Sequence, residues 1–463
     1  MKMKKLVGLI ILVGIYVAAS YYTGVQGEKN IRHQMALAEE QSEAQGVKLI
    51  LNDYQRGIFF SEMNISAVYT SPAMPEMSIK ADSVSKIQHG PIYFTGGLGV
   101  GLFSSVSTLK VHIGIEEVDQ TLQDIFGESI GEFVTVGHFN NTYTSTWNLP
   151  AIDFTGESGS QLNIAPSRLT ASGRYDQLDA AGSFEIGALK LIADGATAAM
   201  TPITGTFDTD NIDPQVNITN LDMLVEKISY SDSAMGTSFS IDQFKIVQTQ
   251  KLVNEKIDTV VSFTAEKVNS PVEVSSLRYI LTLNQLDPVA IQKWTSFIQS
   301  AQEDPEHLDD EKLEDLLGSV LQEGLQFKLD LGAGFMGGNA LVNVNADYKA
   351  LPNGQQVLDI VDPVEYFKLV DADALITVSG SIVNQTPLAM MVGQYLDTYV
   401  TLEGDNYVVR ASLKNGTLMV GNTEVPVETL LMFLPNPEAT AYEHEMSEEH
   451  MLAEDELMTE QVM

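Results

Sequence analysis

The sequence predicts a mainly β, α+β fold: antiparallel sheets with a few helices in an elongated exported body, preceded by one N-terminal transmembrane helix. Three observations carry this reading. An uncharged run from Leu6 to Tyr22 follows Lys2, Lys4 and Lys5. From Val47 onward polar and apolar residues alternate for most of the next stretch, punctuated by Gly, Asn and Asp, the period of strands with one buried face. Helical periods longer than a dozen residues return only after Asp287.

The apolar run is bordered by lysines on its N-terminal side only, which by the positive-inside rule leaves the N-terminus in the cytoplasm and exports the rest. At ~1.5 Å per residue it falls slightly short of the ~30 Å hydrocarbon core. Small residues at Val17-Ala18-Ala19-Ser20 also suit a signal-peptide cleavage site; retention as an anchor is the reading adopted. The expected organisation is 1–27 as cytoplasmic start and anchor, 28–46 as a stalk helix, 47–285 and 286–434 as two β-rich regions, and 435–463 as an acidic tail. The second β-rich region opens with helices over 287–301, where Asp287-Pro288 makes an N-cap and first turn, and over 309–323.

Within the first β-rich region, strands are expected at Ile58–Thr70, Val106–Ile115, Phe133–Asn148, Gln161–Ser172, Phe239–Val247 and Val260–Val268, with a helix over Glu116–Phe126. Asp373–Val383 reads as a strand, Pro387–Thr398 as a short helix and Tyr399–Val427 as a closing meander, turned at Asn415-Gly416.

Composition excludes several functions. With 62 acidic and 26 basic residues the formal net charge is -36, which repels nucleic acid at long range. No Cys is present, so a lipoprotein signal and a structural disulfide are both ruled out. No cofactor is indicated. His444 and His450 lie among Glu445, Glu448 and Glu449, but their spacing matches no preformed metal site.

Gly127-Glu128-Ser129-Ile130-Gly131 fits a G-x-S-x-G nucleophile elbow, with His112 or His138 as candidate bases for Ser129. An elbow needs a strand entering and a helix leaving. Here the expected order is the reverse. Gly96, Gly97, Gly99 and Gly101 lack the lysine and following helix of a phosphate cradle, and read as a connection or a close approach of two backbones.

Four patterns carry no catalytic logic and follow one another along the chain: Tyr22-Thr23-Gly24, then Tyr54, Arg56, Gly57 and Phe59, then His89-Gly90-Pro91, then a closing hairpin with Gly416 and Pro426. Tyr54 and Arg56 share a strand face, which suits an aromatic–guanidinium cluster at a sheet end. Together these patterns resemble the YdgA-like (DUF945) family of Gram-negative bacteria. The resemblance implies an inner-membrane-anchored periplasmic protein without an assigned activity. The expected function is therefore non-enzymatic binding or scaffolding in the envelope, with the membrane itself and an envelope protein or lipid as partners; a homo-oligomer stays open. Lipid or amphiphile handling through an apolar sheet groove is the first alternative, and a hydrolase built on Ser129 the second.

Overall fold

The computed structural model describes residues 2–43, 47–71, 74–156, 159–174, 177, 179–213, 216–291, 293, 322, 324–351 and 363–427. The chain opens with one helix, α1 (Lys2–Glu43), so the apolar run and the expected stalk are continuous. Among the described residues no helix is long and apolar enough to cross a membrane; the side chains of residues 1–13, which open the expected span, lie outside the described residues.

The strands follow in the order β1 (Val47–Arg56), β2 (Phe60–Ser71), β3 (Met74–His89), β4 (Ile92–Tyr93), β5 (Gly99–Val100) and β6 (Phe103–His112). Helix α2 (Glu116–Phe126) then precedes β7 (Glu132–Gly137) and β8 (Thr142–Leu149). All pairings within the large sheet are antiparallel, and β1, β2, β3, β6, β7 and β8 lie side by side in that order. The meander continues without a crossover through Val216–Asp232, Thr237–Val253, Lys256–Asn269, Val274–Leu286, Leu325–Phe335, Gly338–Tyr348, Val370–Ser379 and Asn406–Lys414. Among the described residues, 24 strands form one sheet. Strand Val274–Leu286 pairs directly with Leu325–Phe335, so both β-rich regions share it.

Local chemistry explains this topology. Asp194-Gly195, Asn254-Glu255, Met336-Gly337 and Asn415-Gly416 each place two consecutive residues at positive φ between directly paired strand ends. Two-residue turns of that kind match the strand twist and return the chain antiparallel. Four consecutive strands are each interrupted at 150–151, 165–166, 187–188 and 201–202. Pro150, Pro166 and Pro202 lack the amide a ladder needs. A groove of about 550 Å³ follows this line, lined by Ala151, Ile164, Leu189, Met200 and Pro202.

Four expectations require correction. Gln161–Ser172 breaks at Ala165-Pro166 into Gln161–Ile164 and Ser167–Arg174. Phe133–Asn148 is a hairpin, because Asn141 takes φ 64° and the His138 amide donates to the Thr142 carbonyl at 2.8 Å. The strand expected to reach Val383 stops at Ser379, and Gly380–Asn384 is helical. The expected stalk lies against the sheet. Asp287 does cap a helix, accepting from the Val289 amide at 2.8 Å; the remainder of 287–301, nearly all of the 309–323 helix and the whole 435–463 tail with His444 and His450 lie outside the described residues.

Candidate functional site

Three of the four ordered patterns meet where α1 crosses the end of β1, β2, β3 and β6. Ser20, Thr23, Gly24 and Gly27 are buried on one side of the helix, and their small size brings its backbone onto the sheet. The Thr23 hydroxyl donates to the Gly90 carbonyl at 3.0 Å. A β-carbon on Gly24 would stand 2.4 Å from His89 Nδ1, and one on Gly27 would stand 3.3 Å from the Phe103 ring. Ile31 packs on the cluster of Ile87, Leu102 and Phe103.

His89 is 1% exposed and Ser61 2%. Its Nδ1 lies 2.9 Å from the Ile58 carbonyl, and its Nε2 lies 2.8 Å from the Ser61 hydroxyl. A carbonyl only accepts, so Nδ1 carries the proton and Nε2 accepts from Ser61. Burial pushes the His89 pKa down, with the Ile58 hydrogen bond opposing it. Burial likewise pushes the Tyr54 phenol up, with its hydrogen-bond contact to Ser61 opposing the shift. A serine beside a histidine resembles a nucleophile and its base. Here both side chains are buried and α1 packs Gly24 against the ring, while the bond from Thr23 to Gly90 latches helix to sheet.

Charge and aromatic contacts frame this latch. Glu28 accepts from Arg32 at 3.0 Å and from Arg56 at 2.9 Å. The Arg56 guanidinium lies 5.4 Å from the Tyr21 ring, and that of Arg32 lies 5.4 Å from the Tyr54 ring, distances at which a cation is attracted to an aromatic face. Phe59 stacks with Tyr16 at 6.0 Å. Gly57 makes the tight turn, its amide donating to the Phe60 carbonyl at 2.8 Å. Pro91 accepts from the Gly101 amide at 3.1 Å. Tyr22 points outward. The glycine stretch is a close approach of backbones: a β-carbon on Gly101 would stand 2.5 Å from the Gly137 carbonyl.

Gly416 and Pro426 belong elsewhere. They sit in the last hairpins, beside a core of Leu413, Leu418 and Val427. Ser20, Glu28, Arg32 and Ser61 complete the latch although the sequence reading did not single them out. The stripe Ser20, Thr23, Gly24, Gly27, at spacings of three and four along a helix, was the signal available.

Ser129 and His112 line one pocket of about 150 Å³ with Asp119, whose carboxylate is 4.0 Å from His112 Nδ1. Among the described residues no hydrogen bond joins Ser129 to a histidine. His138 Nε2 instead lies 3.3 Å from the Thr144 hydroxyl. The chain around Ser129 runs from helix α2 into strand β7, the reverse of an elbow.

The second notable surface is one face of the sheet. Cross-strand partners point to the same side, and the pairing Met223, Ile246, Phe263, Tyr279, Leu331, Val342, Ile376, Val409 runs across eight strands. A parallel row contains Val261, Leu281, Leu329 and Val344. At ~4.8 Å per strand the first row extends about 34 Å. Phe263 and Ile376 are each 38% exposed. The opposite face carries Asp222, Lys245, Arg278 and Asp330, with ion pairs of 2.9 Å between Lys245 and Asp222 and 2.8 Å between Arg278 and Asp330.

Together these features define a class: a long antiparallel meander latched to its own opening helix, with one apolar face half-exposed. The chain belongs to the family described as bacterial protein of unknown function (DUF945), which it matches over residues 3–428. No curated protein and no solved structure matches it.

Proposed function

We propose that this chain is an inner-membrane-anchored envelope protein, its body in the periplasm, that binds amphiphiles on the apolar face of its sheet and catalyses no reaction. The observation that carries this reading is the uninterrupted row from Met223 to Val409. An amphipathic sheet ordinarily covers its apolar face with a second layer, and apolar patches above a few hundred Å² mark interaction sites. Here the face is only half-buried. A lipid chain fits such a surface because it offers apolar area and demands no hydrogen bonds. Anchoring rests on the lysine-bordered run Leu6–Tyr22.

Extraction of the full-length protein into an amphipathic polymer, followed by mass spectrometry of the lipids that remain bound, tests this function. The wild-type protein retains lipid, and the doubly substituted Phe263→Asp, Leu329→Asp protein loses most of it. Equal retention by a folded double variant refutes the assignment.

A further inference from the structure

The helix is held by the body as far toward its N-terminus as Tyr16, whose hydroxyl donates to the Ile92 carbonyl at 3.2 Å and whose ring stacks on Phe59. Only Leu6–Ile15 of the apolar run precede that contact. Ten helical residues rise ~15 Å, about half the hydrocarbon thickness. A span that includes the rest of the run therefore brings this end of the sheet to the bilayer.

That end is built unlike the rest of an acidic chain. The turn at 57–61, the segment 90–109 and the segment 133–152 contain no Asp, Glu, Lys or Arg. All three meet here: the Leu102 amide donates to the Gly137 carbonyl at 2.7 Å, and the His89 amide to the Phe59 carbonyl at 2.8 Å. They also expose large apolar side chains, with Leu98 78%, Phe94 66%, Val100 65% and Phe139 56% accessible. Exposed apolar and aromatic groups beside a membrane helix suit the interfacial zone.

We propose that these uncharged loops form a docking surface that sits in the outer bilayer interface beside α1. The inference rests on the proposed anchoring, since the bilayer in question is the one that Leu6–Tyr22 enters. Absence of charge in the loops removes the repulsion that the acidic body would otherwise feel from headgroups.

Because the chain has no native cysteine, a polarity-sensitive fluorophore can be attached to Leu98→Cys. The control is Met235→Cys, at a hairpin tip 77% exposed between the strands Val216–Asp232 and Thr237–Val253. Full-length protein is reconstituted in phosphatidylcholine vesicles containing a lipid-attached quencher. The expected result is several-fold stronger quenching at position 98 than at 235 in protein that floats with the vesicles. Equal quenching in floating protein overturns the docking surface and leaves the anchor intact. Protein that does not float with vesicles overturns both.

Discussion

Gly24 lies so close to the imidazole of His89 that a β-carbon on it would stand 2.4 Å from Nδ1. A helix and a strand 65 positions apart in sequence are thereby fitted to each other at the scale of one methyl group. Gly24→Ala forces the helix or the ring to move, at a cost of about 1–3 kcal/mol. Amide hydrogen exchange over residues 16–32 is expected to accelerate in that variant. Unchanged protection would show that the helix is held by something else.

Ser20 shares the stripe but predicts the opposite sign. Its hydroxyl is fully buried and, among the described residues, has no hydrogen-bond partner. A buried, unsatisfied polar group costs about 1–3 kcal/mol. Ser20→Ala is therefore expected to leave the melting temperature unchanged or to raise it, and a clear drop would contradict the packing described.

The His89 latch predicts a pH dependence. Its folded pKa lies below the usual 6.5 because burial disfavours the charged ring, so the unfolded chain takes up the proton first as pH falls. The stabilisation is complete above about 6.5 and is lost as pH drops through the lower, folded value. Thermal melts from pH 8 to 5 should decline more steeply for the wild type than for His89→Gln. Parallel declines would remove His89 from the account.

Part of this architecture was legible in the sequence, for physical reasons. Alternation along Val260–Val268 and the Asn415-Gly416 turn are local signals: the turn formed where expected, and the strand formed there but extends to Lys256–Asn269. The breaks at His138–Asn141 and at Gly380 were missed because their flanking residues keep the alternation, and only backbone dihedrals and tertiary contacts end the strands. Tyr54 and Arg56 were expected to form an aromatic–guanidinium cluster, yet their partners, Arg32 and Tyr21, come from the helix. Such pairings depend on register between distant elements, which no local window contains. The family resemblance was legible in part because three of its four motifs hold residues that fit α1 to the sheet, among them Thr23, Gly24 and His89.

The pocket around Ser129 gives a negative prediction. A serine nucleophile requires a base within hydrogen-bond reach, and none is joined to Ser129 among the described residues. A fluorophosphonate probe is expected to leave the intact protein unlabelled. Labelling that disappears in Ser129→Ala would establish the hydrolase reading instead.

The central claim, that one face of the sheet holds amphiphiles, is tested most directly by photo-crosslinking in native membranes. A photoreactive amino acid placed at Phe263 lies in the apolar row, and one at Thr264 lies on the opposite face beside Lys245 and Arg278. Adducts with lipid at 263 and none at 264 are the predicted result; lipid adducts at neither position, or equally at both, would contradict the account.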